Sequence, residues 1–358
     1  MSRPLTLCVS CGGTGGHMFP GLATARALQG RGHRVEVWTG GKRIEDATRR
    51  TWDGPVVTIP AEGLSASPLR LPRSLLVLAR VYCRCVAELR RSRPDALLAM
   101  GSYSSVGPVL AGRRLNVPVV LHEANVIPGQ AIERLARFSN AVAISFEETR
   151  GHLRHPHLEL TGIPLRRELD AAAAAAPAEF TVLVMGGSQG AQRLNQIVPE
   201  ALAHLHRSGL AVRVIHLAGE RDREAVQAAY AAAGLAHTVH GFLADMASAY
   251  RAASVAVCRS GAASCAELAL FGLPAVLVPF PQAARDHQRA NALAVQQAGA
   301  GLLLDQADLT PERLAALLQP LAADPDRRRA MSRAARARAL PDADQRLADL
   351  VERVAASR

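Results

Sequence analysis

The chain has 358 residues, which is more than one hydrophobic core usually supports, so its length predicts two domains. Lys and Arg number 42 against 31 Asp and Glu, and the net charge of +11 favours anionic partners: phosphates, nucleic acid or an acidic membrane face. No apolar run approaches the roughly 18 residues of a spanning helix, and the run before Gly12 is too short for a signal peptide. We therefore expect a cytosolic protein, soluble or peripheral, with reduced cysteines.

Short apolar runs rich in β-branched residues alternate with helical patterns along the chain. The first series of predicted strands is Leu5–Cys11, Arg34–Thr39, Val56–Pro60, Ala96–Met100, Val117–Leu121, Ala141–Ser145 and Leu158–Gly162. The second series is Thr181–Met185, Val212–Leu217, Thr238–Phe242, Val255–Cys258, Ala275–Phe280 and Gly301–Leu304. Repeated β-α-β order predicts the α/β class with parallel sheets. Cys8 and Cys11 fall within the first strand, and no second Cys or His pair completes a zinc site with them, so we expect core thiols and no metal.

The two series of strands are separated by a low-complexity stretch, Asp170 followed by alanines 171–176 and Pro177, which is typical of a linker. The strand and glycine turn at Val9–Gly13 recur after it at Val184–Gly187. We therefore predict two similar halves, residues 1–163 and 164–340, facing each other across a deep cleft. The last predicted helix, Ala343–Ala355, carries an apolar stripe that needs a partner.

Four glycine-containing turns follow predicted strands, at residues 12–16, 101–107, 186–190 and 260–261. Glycine lets the backbone approach a phosphate closely, and the amides of the following helix then point at the anion. The first turn is not a dinucleotide fingerprint, because Met18 stands where the third glycine is required and no acid ends the second strand. Turns of this kind in both halves predict phosphate binding, although a single glycine turn often serves only packing.

Three further residues have the chemistry of a site. Glu267 lies in the helix after the fourth turn, where a carboxylate can accept from two neighbouring hydroxyls, as on a ribose. His17 opens the helix after the first turn, and the positive helix end favours a neutral imidazole that can act as a general base. Glu123, at the carboxyl end of a strand, is the rival base. His17 could equally serve only packing. Asn125, two residues after Glu123, could be an ordinary helix cap.

The segment Leu69–Arg91 is the strongest basic segment of the chain, and from Ser74 it predicts an amphipathic helix. From Ser74 onward one face carries Leu75, Leu78, Tyr82, Val86 and Leu89, and another carries Arg80, Arg84 and Arg91. Such a helix can rest on anionic lipid, or it can be a crossover helix that covers its own sheet, and the sequence does not choose. Nucleic acid is disfavoured because no binding motif is present and aromatic residues are scarce.

These motifs together closely resemble the MurG family of peptidoglycan glycosyltransferases, which have the GT-B fold and convert lipid I to lipid II. Gly12–His17 with Pro20 resembles the first glycine loop of the family, Met100–Pro108 the second and Gly186–Ala191 the third. The donor signature is resembled by Cys258–Gly261 with Glu267, followed by His287, Gln288 and Asn291. The resemblance covers nearly the whole chain and implies that the final helix, residues 341–358, packs back on the N-terminal domain.

The resemblance also implies which residues bind the substrates. On the donor side, for UDP-GlcNAc, they are Arg166, Gly187, Ser188, Gln189, Gly190, Phe242, Leu243, Gly261, Glu267, His287 and Gln288. On the acceptor side they are Thr14, Gly15, Gly16, Tyr103 and Asn125, beside the catalytic candidates His17 and Glu123. Within the donor set, Glu267 would hold the ribose, Leu243 the uracil, and the third loop with Arg166 the diphosphate.

Three departures from the family pattern concern mainly the acceptor side. Ser102 stands where glycine is frequent, Ala124 replaces a glutamine, and Ile163 replaces an asparagine before Pro164.

The activity implied by the resemblance is inverting transfer of GlcNAc from UDP-GlcNAc to the C4 hydroxyl of undecaprenyl-pyrophosphoryl-MurNAc-pentapeptide, without metal or other cofactor. The expected location is the cytoplasmic face of the cell membrane, where other cell-wall synthesis or division proteins are further expected partners. Two alternatives remain open: a GT-B enzyme with another lipid acceptor, such as diacylglycerol, and a non-enzymatic sugar-nucleotide binding protein.

Overall fold

The structure is a computed structural model, and it describes residues 3–13, 15–41, 52–60, 71–166, 169, 179–187 and 191–357, with the side chains of 71–75 left out. The chain divides into two compact units. The first comprises residues 1–166 together with 340–358, and the second comprises residues 167–339. The predicted limits, 163/164 and 340/341, lie close to these divisions.

The first unit is built on a parallel sheet. Its strands are β1 (Thr6–Ser10), β2 (Arg34–Thr39), β3 (Val56–Thr58), β4 (Ala96–Ala99), β5 (Val119–Glu123), β6 (Ala141–Ile144) and β7 (Leu158–Leu160). They are ordered β3-β2-β1-β4-β5-β6-β7, and every neighbouring pair is parallel. The central strands are buried on both faces, which explains why they read as continuous apolar runs.

Helices cover the two faces of this sheet. The described helices of the unit are α1 (Gly15–Gly30), α2 (Leu71–Ser92), α3 (Val106–Arg114), α4 (Gln130–Leu135) and, at the end of the chain, α12 (Ala343–Ala356). One core lies between the sheet and helices α1 and α12, and a second lies on the opposite face under α2, α3 and α4. The glycine at Gly21 allows α1 to approach β1, since a methyl group there would lie 2.4 Å from Cβ of Cys11.

Helix α12 completes the first core with the apolar stripe seen in the sequence. Leu347, Leu350, Val351 and Val354 are all buried there. Polar contacts border the stripe, because Arg31 pairs with Asp349 at 2.7 Å and the ring of His33 contacts Glu352 at 2.8 Å. Burial of the stripe is the physical reason why the end of the chain returns to the first unit.

The second unit repeats the same plan. Its strands are β8 (Phe180–Met185), β9 (Val212–Leu217), β10 (Ala236–His240), β11 (Val255–Cys258), β12 (Ala275–Leu277) and β13 (Gly301–Leu303), ordered β10-β9-β8-β11-β12-β13. Its helices are α5 (Gln192–Arg207), α6 (Arg223–Ala232), α7 (Met246–Ala252), α8 (Ala262–Phe271), α9 (His287–Gln297), α10 (Pro311–Ala323) and α11 (Pro325–Ala337). Both units therefore have the Rossmann-like α/β architecture expected from the sequence.

Several predicted strand boundaries are wrong by two or three residues. Strand β5 begins at Val119, after Pro118, and continues through Glu123 instead of ending at Leu121. Strand β12 ends at Leu277 rather than Phe280, because Pro279 and Pro281 cannot donate to a ladder. Strand β10 covers Ala236–His240 rather than Thr238–Phe242, since its partner β9 ends at Leu217, which pairs with His240.

Helix α2 begins at Leu71, three residues before the predicted start at Ser74. Its buried side is formed by Cys85 and Leu89, and Tyr82 and Val86 pack against the same core. Arg80 and Arg84 are exposed on the outer side. Across the described parts of the chain, no helix is both long enough and apolar enough to span a membrane.

Candidate active site

Each sheet has one point at which its strand order reverses. Two of the four glycine turns lie at that point in each sheet. In the first unit β1 is flanked by β2 and β4, so the turns after β1 and β4 leave neighbouring strands in opposite directions. In the second unit the same relationship holds for β8 and β11. A crevice forms at such a point outside the carboxyl ends of the strands, where α/β proteins bind ligands.

The first two turns are bonded directly to each other. The hydroxyl of Ser104 donates to the carbonyl oxygen of Gly12 at 2.6 Å. Gly12 has no room for a side chain, because a methyl group there would lie 2.8 Å from the backbone nitrogen of Gly40. These contacts bring the loops after β1, β2 and β4 together at one edge of the sheet. Thr14, a predicted acceptor residue, lies outside the described residues, and Gly15 and Gly16 begin α1.

His17 lies in the first turn of α1, half-buried, at the junction of these loops. A methyl group on Gly101 would lie 3.4 Å from Cδ2 of His17, and one on Gly13 would lie 4.0 Å from its Nδ1. The imidazole therefore lies close to both glycine turns, a position that suits a proton acceptor serving a ligand between them. Tyr103, in a short 3-10 turn of the second loop, is 50% exposed.

Ser102 has a backbone conformation that only glycine adopts without strain. Its φ is 68° and its ψ is 172°. A non-glycine residue in this region costs about 1–3 kcal/mol. Its hydroxyl oxygen lies 2.9 Å from where a methyl group on Gly13 would be, so the side chain faces the first loop. The departure from the expected glycine therefore falls at the most strained position of the second loop.

Glu123, the rival base, is buried and serves the local backbone. Its Oε1 accepts from the backbone N–H of Asn125 at 2.8 Å and from the Asn125 amide at 3.2 Å. Its Oε2 accepts from the backbone N–H of Gly129 at 2.8 Å. The side chain is 4% exposed. These bonds close the loop between β5 and α4, which is a structural role for Glu123. They also give the side-chain amide of Asn125 a structural role in the same loop.

His122 precedes Glu123 in β5 and is buried at 1% exposure. Its Nε2 lies 3.1 Å from the carbonyl oxygen of Gly162 and 3.2 Å from the hydroxyl of Ser145. Burial lowers the pKa of His122 to about 4, and the nearby His17 contributes to the same direction. A neutral His122 adjoining His17 adds no positive charge to the loop junction at neutral pH.

Arg166 lies in the first unit, with its guanidinium 5.4 Å above the ring of Phe19 in α1. Stacking of this kind orients the guanidinium without engaging its N–H groups in a carboxylate pair. The predicted role of Arg166 at the donor diphosphate stays a prediction.

In the second unit, α8 and α5 both start directly after a glycine turn. The residue before α8 is Gly261, which is in extended conformation and supplies no side-chain cap. The residue before α5 is Ala191, which likewise supplies no side-chain cap. Gly187 has a φ of 91°, which favours glycine. Ser188, Gln189 and Gly190 of the predicted diphosphate site lie outside the described residues.

Glu267 projects from α8 and is held by a neighbouring tyrosine. The hydroxyl of Tyr250 donates to Oε2 of Glu267 at 2.5 Å. Tyr250 is 3% exposed, and its ring stacks on Phe271 at 4.9 Å between centroids, so the donor itself is fixed. The sequence does not signal this partner, because Tyr250 lies in α7, on another element.

A second group of contacts organises the loop after β12. The guanidinium of Arg259 donates to the carbonyl oxygens of Val278 and Pro279 at 3.1 and 2.9 Å. The side-chain Oε1 of Gln288 accepts from the backbone N–H of Phe280 at 2.9 Å. The backbone carbonyl oxygen of Gln288 accepts from the Ser260 hydroxyl at 2.8 Å. The predicted sugar-reading residue Gln288 is thereby tied to the turn at Gly261.

The remaining described donor candidates are His287, Phe242 and Leu243. His287 opens α9, and its Nδ1 lies 2.8 Å from the carbonyl oxygen of Ala284. The two residues before it, Arg285 and Asp286, both have a φ of 55°, so this helix start is strained. Phe242 follows β10 and is 73% exposed, and Leu243, the predicted uracil contact, is half-buried.

Models of two domains of glycosyltransferase family 28 match the chain. The N-terminal domain of the family matches residues 7–144, and the C-terminal domain matches residues 181–347. A protein of Cupriavidus metallidurans is 40% identical over 98% of this chain and 98% of its own length. That protein is named UDP-N-acetylglucosamine–N-acetylmuramyl-(pentapeptide) pyrophosphoryl-undecaprenol N-acetylglucosamine transferase.

This chain belongs to the MurG family. A relative with the same name from Burkholderia lata is 43% identical over 87% of this chain and 86% of its own length. The crystal structure of MurG from Acinetobacter baumannii has a TM-score of 0.84, with 30% identity over 98% of this chain and all of that one. The family and the GT-B fold expected from the sequence are thus confirmed, and the chain is a glycosyltransferase.

In this MurG-family chain, the segment predicted to touch a membrane, helix α2, has two distinct sides. Tyr82 packs against the core of its own sheet, as the crossover-helix alternative predicts. Leu78 is half-buried, and the side chain of Leu75 is outside the described set. The outward side carries Arg80 and Arg84 together with Leu76, which is 52% exposed.

Proposed function

We propose that this chain transfers GlcNAc from UDP-GlcNAc to the C4 hydroxyl of undecaprenyl-pyrophosphoryl-MurNAc-pentapeptide, with inversion at C1. The observation that carries this proposal is the 40% identity, over 98% of both chains, to a protein named for that reaction. The geometry agrees with it, because each unit places two glycine turns at the reversal point of a parallel sheet.

The second unit supplies the donor site in this proposal. Glu267 accepts the two ribose hydroxyls, and the Tyr250 hydroxyl keeps its carboxylate in place. The backbone amides at the starts of α5 and α8 hold the diphosphate, since neither Ala191 nor Gly261, the residues before these helices, supplies a capping side chain. Gln288 and His287 read the hydroxyls of the GlcNAc.

The first unit supplies the base. His17 takes the proton of the attacking C4 hydroxyl, because its imidazole lies between the first two glycine turns and is half-exposed. Glu123 is the weaker candidate, since both of its carboxylate oxygens accept from the adjacent backbone. Thr14, Gly15, Gly16, Tyr103 and Asn125 line the acceptor side in this assignment.

The leaving group is UDP, and its developing charge is stabilised by main-chain N–H groups, helix N-termini and Arg166. These fixed dipoles and one cation take the place of a divalent metal in the proposed mechanism, which uses no cofactor. Turnover in a chelator such as EDTA therefore tests this part of the proposal, with loss of activity as the contrary outcome.

We further propose that the protein acts as a peripheral protein at the cytoplasmic face of the membrane, where the lipid-linked acceptor lies. The basic outer side of α2 and a net charge of +11 support attraction to anionic lipid. Other proteins of cell-wall synthesis or division are candidate partners at the same surface, and nucleic acid is not.

The decisive experiment supplies radiolabelled UDP-GlcNAc with either a lipid I analogue or diacylglycerol in mixed micelles. The proposal predicts label in the lipid I product, UDP release only when both substrates are present, and inverted configuration at C1. Transfer to diacylglycerol alone indicates the other acceptor class. Tight UDP binding without any transfer indicates a non-enzymatic binding protein.

A further inference from the structure

A chain of buried polar side chains crosses the core of the second unit beside the third glycine turn. His216, at 0% exposure, occupies the place in β9 where the alternation of buried Val212 and Val214 predicts another apolar residue. Tyr230 of α6 is also 0% exposed and Asn195 of α5 is 7% exposed. Buried polar groups in an apolar core are costly unless each one is hydrogen-bonded.

The direction of each hydrogen bond in this series follows from the side-chain amide of Asn195. Its Nδ2 donates to the carbonyl oxygen of Ala218 at 2.8 Å and to Oδ2 of Asp222 at 2.8 Å. The Oδ1 of Asn195 must therefore accept, and it lies 3.0 Å from Nε2 of His216. That nitrogen consequently carries the proton of the imidazole.

The other ring nitrogen of His216 is then an acceptor. It lies 2.8 Å from the hydroxyl of Tyr230, which donates to it. Burial lowers the pKa of His216 to about 3, so the ring remains neutral and the directions hold at physiological pH. The order is Tyr230 hydroxyl to His216, His216 to Asn195, and Asn195 to the backbone and the carboxylate after β9.

The end of this chain of bonds is next to the proposed diphosphate site. Asn195 lies in the first turn of α5, and its backbone N–H donates to the carbonyl oxygen of Ala191, the residue that ends the third glycine loop. Ala218 and Asp222 belong to the connection after β9, at the carboxyl edge of the sheet. The Asn195 side chain therefore joins the start of α5 to that edge.

We propose that Asn195, held by His216 and Tyr230, is a positioning residue that fixes Ala191 and the start of α5 for the diphosphate of the sugar nucleotide. This inference rests on the proposed function, since it assumes that the donor is bound at that helix start. Asn195 acts through the backbone at the start of α5 and does not itself need to touch the ligand. An apolar side chain at 195 would fill the core equally well, but it would leave the start of α5 without its polar anchor.

The test is UDP binding by isothermal titration calorimetry, together with steady-state kinetics, for Asn195→Leu. We expect the Kd of UDP and the KM of UDP-GlcNAc to rise about tenfold, with the KM of the acceptor unchanged. A matched control is Leu205→Ala in the last turn of the same helix, about 15 Å from Asn195. This control should lower the Tm without changing the UDP affinity.

A milder variant keeps the test decisive if Asn195→Leu does not fold. Asp222→Ala removes one of the two acceptors of Asn195, and the Asp222 side chain is 29% exposed, so this change is tolerated by the fold. It should raise the Kd of UDP about threefold. A wild-type UDP affinity in both variants, with only the Tm lowered, would show that the buried chain of bonds is merely structural.

The two levels of the hypothesis fail in distinguishable ways. If the unmodified protein does not bind UDP, the proposed function fails. If it binds UDP and the variants bind it equally well, only the positioning role fails.

Discussion

The phenolic oxygen of Tyr250 lies 2.5 Å from Oε2 of Glu267, and this bond joins α7 to α8 at the proposed ribose site. Tyr250 is buried and stacked on Phe271, so the carboxylate is oriented by a donor that has little freedom of its own. A short bond to a charged acceptor is among the stronger hydrogen bonds in proteins.

Tyr250→Phe removes this hydroxyl and keeps the stacked ring. We expect the KM of UDP-GlcNAc to rise about 10- to 100-fold, because a bond to a charged group contributes about 1.5–3 kcal/mol. Glu267→Ala should raise that KM further, and the double variant should resemble Glu267→Ala alone, since Tyr250 acts through Glu267. Additive effects of the two changes would mean that Tyr250 has an independent role.

His17→Ala should lower kcat by about 10²–10⁴, the usual contribution of a general base. The Kd of UDP should be unchanged, because UDP is assigned to the other unit. Single-turnover kinetics with saturating substrates measure the effect directly. Undiminished turnover in this variant would remove His17 from the role.

Glu123→Gln is the matched test of the rival base. Its amide group must direct an N–H toward either the Gly129 or the Asn125 backbone N–H, both of which now donate to the carboxylate. We therefore expect a lower Tm, with kcat reduced less than about tenfold. A wild-type Tm combined with loss of turnover would instead assign the base to Glu123.

Buried neutral histidines make the fold sensitive to acid. The pKa of His122 is lowered from 6.5 to about 4 by burial, so below pH 6.5 the unfolded chain takes up a proton that the folded chain does not. The free energy of unfolding should therefore fall between about pH 6.5 and pH 4, by up to about 1.4 kcal/mol per pH unit. Burial acts on His216 in the same direction.

Urea denaturation at a series of pH values checks this expectation. His122→Gln retains a side-chain N–H for the Gly162 carbonyl and has no ionisable group, so its stability should depend less on pH in that window. Identical pH dependence in the variant and the unmodified protein would contradict the assignment. Comparison of the two proteins cancels the titration of the carboxylates that they share.

Ser102→Gly should stabilise the protein by about 1 kcal/mol, because it relieves strain at a φ of 68° and a ψ of 172°. Ser102→Ala is the matched control, since it loses the hydroxyl but keeps the Cβ and hence the strain. Thermal or urea denaturation should show a gain only for the glycine variant. A gain for the alanine variant as well would locate the cost in the hydroxyl.

Removal of two basic side chains from α2, by Arg80→Ala with Arg84→Ala, should weaken binding to vesicles containing anionic lipid. Each basic residue near the surface contributes about 1 kcal/mol, so the partition coefficient should fall about thirtyfold. The control pair is Arg207→Ala with Arg221→Ala, two exposed arginines of the second unit. Equal loss in both pairs would indicate a general charge effect.

Much of the fold could be predicted because it follows from patterns of residues that are close together in the sequence. Strands such as Arg34–Thr39, Val212–Leu217 and Val255–Cys258 have the predicted limits, since short runs rich in β-branched residues between turns are typical of strands. Limits set by a neighbouring strand were missed, as at β10, which ends where its partner ends.

The candidate site likewise has features that could be predicted from the sequence and features that could not. Glycine turns and the donor signature are contiguous in the chain, and their resemblance to the MurG family was sufficient to identify the family. The partners of those residues are remote in sequence: Tyr250 for Glu267, and Tyr230 with His216 for Asn195. His216 itself is the one sequence signal for these bonds, because it is a polar residue where the alternation of buried positions in β9 predicts an apolar one.

By itself, the sequence determined the α/β class, the two similar halves, the family and the glycine turns, because each depends on residues close together in the chain. Only the tertiary structure decided that Glu123 closes a loop, that the Tyr82 side of α2 covers the sheet, and that His17 lies close to two glycine turns. These depend on which strands become neighbours, and burial of apolar surface over the whole unit selects that order.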